Sequence, residues 1–262
     1  MEIVMEVFKL NASPSRQTIR LMIGAQVVWF AVVWLLSPSK LLPSPAETVA
    51  ALRDLLAGGM FGELLNSLKT NIVAVLVASG FSLALSYLTC IPFMRPLATG
   101  FSYLRYLSLA GITLGFTILL GGSYWLKVLV LAFAVSVFFV RSMVDVIRHI
   151  PSEQYDLART LRYNEAQVVG EVVILGTAAD AFDIIRQNAA MSWMMLPFAE
   201  SLVWSQGGIG VMLLDSSKHF RLEAIVAIQL TILACGLVQD YCIGVIRHVM
   251  CPAADLKVRE SR

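Results

Sequence analysis

The chain has 262 residues, of which 58% are hydrophobic and only 15% charged, with a mean hydropathy of +0.75. Soluble domains carry about 25% charged residues, so this composition excludes a disordered chain and points to a surface that meets lipid. Twenty Lys and Arg against 18 Asp and Glu leave a net charge of +2, too balanced for a nucleic-acid-binding face.

The small sites that chemistry would need are also missing. Cys90, Cys235, Cys242 and Cys251 have no CxxC spacing and read as small apolar residues, and His149, His219 and His248 form no HExxH pair. Neither a catalytic centre nor a metal site is expected, and no cofactor is expected on this chain. The charged first twenty residues run into an apolar stretch that lacks a small-residue cleavage site, so that stretch is expected to remain as an anchor.

A bilayer core of about 30 Å needs about 20 apolar helical residues, and only helices or closed barrels satisfy their backbone there. In chain order, the uncharged windows are 21–39, 70–94 and 106–126. Then comes VLVLAFAVSVFFV (Val128 to Val140), which reaches spanning length with its flanks, followed by 184–204 and 224–246. The last two each hold an acid, Glu200 and Asp240. The expected fold is therefore all-α, a polytopic membrane protein of six transmembrane helices. It reads as a cytoplasmic segment 1–18, one transmembrane domain over 19–248 and a tail 249–262. Six crossings place both termini on one side. With the termini inside, fourteen of the 20 Lys and Arg are cytoplasmic and six are outside, so the positive-inside rule favours cytoplasmic termini.

Two segments between the spans are too polar to cross. Ser44-Pro45-Ala46-Glu47 is a capping box with proline at the first helical position, and Gly58-Gly59 supplies a stop. These predict an outer helix over 45–57. The region 148–183 is the longest charged stretch, on the cytoplasmic side. There Pro151 opens a helix with Glu153 and Asp156 near its positive end, and Leu157, Ala158 and Leu161 form an apolar strip beside Arg159 and Arg162. A second short helix is expected over 168–175. By composition alone this pair is either a compact knob or a linker folded on the membrane.

The stretch YDLARTLRYNEAQVVGEVVIL resembles the cytoplasmic loop of binding-protein-dependent ABC importer permeases. In those proteins Glu-Ala-Ala is followed at fixed spacing by Gly and later by Ile-x-Leu-Pro. Asp156 takes the acidic position, Leu157 and Ala158 the two small ones, Arg162 the position of Gly, and Leu175 that of Pro. Leu41 to Pro45, Ser67-Leu68-Lys69, Arg186 with Trp193 and Glu200, Gly207 to Gly210, Phe220, and Asp240 with Arg247 resemble, in order, features of the subgroup serving nitrate, taurine and aliphatic sulfonates.

The resemblance implies an inner-membrane permease subunit and no enzyme. Its partners would be cytoplasmic ABC ATPases that consume ATP, a second permease subunit, an extracytoplasmic solute-binding protein and the bilayer, with no nucleic acid. It also implies a short coupling helix between the fourth and fifth helices, with Asp156, Leu157, Ala158, Arg159, Leu161 and Arg162 at the ATPase contact. Gly at the Arg162 position would let the chain turn with positive φ or pack closely, neither of which arginine does cheaply, and the missing Pro at Leu175 removes a helix stop, so a longer helix is expected there. Three consequences stay open: pairing with a more typical permease in a heterodimer, docking of a diverged ATPase, or a non-transporting regulatory or assembly subunit derived from a permease.

Ionisable groups within a span are functional candidates by default. Arg186, Asn188, Ser192, Trp193 and Glu200 are the candidate translocation-path residues, on the fifth span. For Arg186 the alternatives are an anion contact or a headgroup anchor; for Trp193, a substrate platform or packing. Glu200 lies near the outer interface, where it either borders a gate or caps the GGIG turn. Asp240 reads as a structural partner of Arg186 or Arg247. An intramembrane enzyme would need paired Glu, His or Asp on one helical face at membrane depth, and no such pair occurs.

Overall fold

A computed structural model describes residues 16–36 and 43–252, and every regular element among them is helical. The expected segments 1–18 and 249–262 fall largely outside the described residues, as does the 37–39 end of the first window. Helix α1 (Arg16–Leu36) is uncharged from Leu21 onward and stands apart, with Val27, Val28, Trp29 and Phe30 all exposed. Trp34 Nε1 donates to Pro43 O at 2.9 Å, tying its end to the start of α2 (Pro45–Ala57).

The capping box at the start of α2 forms as expected. Glu47 N–H donates to Ser44 Oγ at 3.3 Å, and Ser44 N–H donates to Glu47 Oε2 at 2.7 Å, which holds the Glu47 carboxyl below its ordinary range. Gly59 at φ 92° then reverses the chain into α3 (Met60–Tyr87). One face of α3 is small or polar and buried, including Ser67, Asn71, Ala74, Ala78, Ser82 and Ser86. Side chains this small let backbones approach closely within a bilayer.

The expected third crossing at 106–126 takes another form. Helices α4 (Arg95–Tyr103) and α5 (Leu109–Leu120) lie on either side of Leu107 and Ser108, whose extended backbone breaks the helix, and the chain turns through 109° there. Gly121 at φ 61° stops α5 after twelve residues, about 18 Å, too short to cross alone. The bent pair can count as one span. Helix α6 (Tyr124–Arg148) follows, joining the expected Val128 to Val140 run to both flanks. Val128, Val130, Leu131, Val135, Phe139, Val140 and Met143 are all buried, because α6 packs against α3, α4, α5 and α9 (Ala178–Ser201).

After α9 come α10 (Ile209–Lys218) and α11 (Leu222–Met250). Among the described residues, four helices are long and apolar enough to cross a membrane, namely α1, α3, α6 and α11, or five with the bent pair. Helix α9, which covers the expected fifth crossing, has the length but not the apolarity, because Asp183, Arg186, Gln187, Asn188 and Glu200 lie within it.

The turn from α9 to α10 is built on glycine. Gly207 and Gly208 have φ of 63° and 121°, and a Cβ on Gly208 would strike the Glu200 carboxylate. Gly210 lies against the backbone of Pro197, which cannot move aside as a flexible side chain would. Gly210→Ala is expected to destabilise the protein by about 2 kcal/mol through overpacking, read as a lower midpoint of thermal unfolding in detergent. An unchanged midpoint would show that α10 shifts freely against α9.

Candidate functional site

The bridge between α6 and α9 folds as two short helices. Helix α7 (Ser152–Thr160) starts directly after Pro151, whose extended backbone (ψ 138°) ends the α6 segment. Ala158 packs inward at 5% exposure, while Leu157 and Leu161 stand out at 64% and 60%. Asp156, Arg159 and Arg162 are also exposed. Arg159 lies 3.8 Å from Asp156 and 3.4 Å from Glu165, so it links α7 to α8 (Glu165–Val168). Two apolar side chains exposed to solvent beside an ionic rim are what a protein docking surface presents.

The turn after α7 shows what Arg162 does in place of glycine. Tyr163 N–H donates to Ala158 O at 3.2 Å and Arg162 N–H to Arg159 O at 2.9 Å, which is the Schellman pattern, with Arg162 in the left-handed region at φ 60°. The glycine-type turn is therefore kept, with an arginine strained into it. Asn164 and Gln167 cap each other's backbone N–H at 2.9 and 2.8 Å and start α8. A wider π-helical stretch from Val169 to Leu175 follows, and the chain runs through Gly176 and Thr177 into α9 without the missing proline stop.

On α9 the candidate path residues divide between two faces. Asn188, Ser192, Trp193 and Glu200 are buried, whereas Arg186 is on the open face with Gln187, Ala190 and Met194. Asn188 donates to Ile184 O at 2.8 Å, Asn71 on α3 donates to Ser192 Oγ at 2.9 Å, and Trp193 Nε1 donates to Gln239 on α11 at 2.7 Å. The open face borders a groove of about 450 Å³ between α9 and α11 that Trp193, Met194, Leu233, Gly236 and Asp240 help to line. Arg186 pairs with Asp240 through two hydrogen bonds, and Arg247 pairs with Asp183 at 3.0 Å. Two ion pairs of opposite polarity thus join the N-terminal half of α9 to the C-terminal half of α11.

At the other end of α9, Glu200 caps the glycine turn. Its carboxylate accepts from Ser67 Oγ at 2.6 Å and from Gly210 N–H at 2.7 Å, fully buried. Ile209 N–H donates to Ser67 Oγ at 2.7 Å, Gly208 N–H donates to Glu63, and Asn66 donates to Gln206 O at 2.8 Å. Lys127, from the start of α6, is buried over the same loop and donates to Gly207 O at 3.2 Å. Sequence reasoning singled out Glu200, the GGIG turn and, by resemblance alone, Ser67, but missed Glu63, Asn66 and Lys127. The one available signal was an acid and a serine one helical turn apart at Glu63 and Ser67.

Two substitutions test these geometries. Arg162→Gly relieves a left-handed residue and is expected to stabilise the protein by about 1 kcal/mol; a loss of stability would mean that the arginine side chain contributes more than its backbone costs. Glu200→Ala strips a buried carboxylate from Ser67, Gly210 and the nearby Lys127, with an expected loss of about 3 kcal/mol in chemical unfolding and a smaller loss for Glu200→Gln.

No protein-family model matches the chain. It is similar to a protein of Bacillus subtilis (strain 168) named as an aliphatic sulfonates transport permease, SsuC, with 23% identity over 189 residues that cover 71% of this chain and 68% of that one. The helices long and apolar enough to span and this likeness together support a multi-pass membrane protein of the permease kind. The chain is a distant relative of that transporter and resembles the ABC importer permeases of the sulfonate and nitrate subgroup.

Proposed function

We propose that this chain is the transmembrane subunit of an ABC importer in the inner membrane, that α7 is its coupling helix, and that the solute is a small anion such as a sulfonate, taurine or nitrate. The observation that carries this reading is α7 itself. It is a nine-residue helix held by Ala158, with Leu157 and Leu161 presented outward, in the excursion between α6 and α9, which pack on each other. A short helix joined rigidly to both and seated on an ATPase turns closure of the nucleotide-binding dimer into rocking of the bundle. The resemblance to a sulfonate permease supports the solute class, and Arg186 on the open face supplies a guanidinium able to meet an oxyanion.

In this reading six crossings are completed by α9 and by the bent pair α4 and α5, with both termini cytoplasmic. Helix α9 borders the path formed with a second permease subunit. Arg186 faces that path, while Asn188, Ser192, Trp193 and Glu200 hold α9 at the right rotation. Asp156, Leu157, Arg159, Leu161 and Arg162 form the ATPase contact, and ATP is consumed by that partner. An extracytoplasmic binding protein delivers the solute. The kept left-handed turn at Arg162 speaks against a merely regulatory descendant, because the loop geometry survives the loss of its glycine.

The test has two readouts. Leu157→Asp places a charge in the centre of the docking strip and is expected to weaken capture of the partner ATPase by at least about tenfold, with solute uptake falling in parallel. A membrane-impermeant label should reach a cysteine placed at Ser152 only from the cytoplasmic side. Undiminished capture, or labelling from outside, would remove the assignment of α7.

A further inference from the structure

Behind α7 lies a cavity of about 500 Å³, bordered by the turn that follows α3, the end of α6 and the α7–α8 segment. Three arginines from separate elements line it: Arg95 at the start of α4, Arg148 at the end of α6 and Arg159 on α7. Carboxylates answer only one of them. Arg159 has Asp156 and Glu165, whereas Arg95 and Arg148 make no ion pair with a carboxylate among the described residues. Asp145, near Arg148 in sequence, is engaged by Arg141 at 3.0 Å. Arg95 is held by its Nε, which donates to Thr89 O at 3.1 Å. Tyr155 adds a hydroxyl donor, and burial pushes its phenol up, so it remains protonated.

The three guanidinium groups are on exposed residues of the cavity wall; an anion between them relieves their mutual repulsion, and their forked donors fit a tetrahedral oxyanion. Val144, Val168 and Val173, all buried, give the wall an apolar side, and Thr89 and the Glu165 carboxylate, which pairs with Arg159, line it as well. Beside the cavity, Ile91, Phe93 and Leu97 are 50%, 82% and 58% exposed, as suits an elbow dipping into the acyl boundary.

We propose that this cavity binds a phosphate or sulfonate group carried on an apolar tail, gripped by Arg95 and Arg148. The source is either an anionic phospholipid of the inner leaflet or a soluble alkyl sulfonate from the cytoplasm. Because Arg159 and Tyr155 belong to α7, an occupied cavity ties that helix to the turn after α3 and the end of α6. Binding itself does not depend on α7 being a coupling helix, so it can fail or succeed independently of the proposed function.

Cys90 also lines the cavity and reports on it. The full chain carrying C235A, C242A and C251A, in phosphatidylcholine nanodiscs, is alkylated with neutral N-ethylmaleimide. The rate is compared with that in an equimolar mixture of phosphatidylcholine and phosphatidylglycerol, and with that in millimolar butanesulfonate. Two-thirds occupancy slows alkylation about threefold by mass action. Protection by the lipid alone identifies a headgroup, and protection by butanesulfonate identifies a soluble anion. Each variant is compared with itself: R95Q/R148Q is expected to lose the protection, while R95K/R148K and R105Q, the last outside the cavity, keep it. Equal rates under all three conditions, or protection that persists in R95Q/R148Q, would overturn the proposal. The second of these results would also identify a general surface effect of the charged lipid on the thiol.

Discussion

Helix α6 is closed in by neighbours over most of its length, and the rest of the bundle is placed by that burial. A membrane helix usually turns one side to lipid, but Leu131, Val135, Phe139, Val140 and Met143 meet α3, α4, α5 and α9 instead. Its 25 residues make a rod of about 38 Å. Packed interiors of this kind resist compression, so a displacement at one end is passed on as a tilt of the whole rod. Lys127 sits at its N-terminal end over the glycine turn, and Arg148 at its C-terminal end, just before Pro151 and α7. One element therefore connects the two ends of the molecule where polar chemistry is concentrated.

Those two ends are held with unequal strength. The clasp on the glycine turn is buried at its centre: Glu200 and Ser67 satisfy the backbone N–H groups of Ile209 and Gly210, and removing either would leave a polar group without a bond in an apolar setting, while Glu63, Asn66 and Lys127 add bonds to residues 206–208 nearer the surface. The contacts at the other end, Arg186 with Asp240 and Arg247 with Asp183, retain a quarter to a half of their side-chain exposure and are screened by solvent. A bundle clasped firmly at one end and loosely at the other pivots about the firm end. In the proposed importer, the inner halves of α9 and α11 separate or close while the glycine turn holds.

Much of this was legible in the sequence, for identifiable reasons. The α2 capping box, the helix opening after Pro151, the turn role of Glu200 and the pairing of Asp240 rest on local spacing or on the high cost of an unpaired charge in a helix, and both are properties of short windows. What could not be read depends on contacts between distant segments. Lys127 counts in the sequence as an outer loop charge, yet it is buried, because its partners lie about eighty residues away in the loop after α9. Hydropathy over 106–126 suggests one crossing, but it cannot register that Leu107 and Ser108 are extended or that Gly121 ends the helix. Asp183 was invisible as a latch because its partner, Arg247, is brought near only by the antiparallel packing of α11 on α9.

The departures from the permease motif have a physical interpretation that bears on function. A side chain forced into the left-handed region costs about 1–2 kcal/mol, and such a residue persists only where its surroundings leave the chain no other course. Both flanks of Arg162 meet that condition: the Schellman bonds to Ala158 and Arg159 fix the turn from one side, and the Asn164–Gln167 box fixes it from the other. The energetic cost thus falls on the stability of the loop while its shape is unchanged. Leu175 in place of proline is absorbed differently, by the wide π-helical stretch that carries the chain from Val169 to Gly176 and still delivers α9 to the face of α6. A motif judged by residue identity would count both positions as lost, whereas the backbone retains at each the course that a lever between α6 and α9 requires.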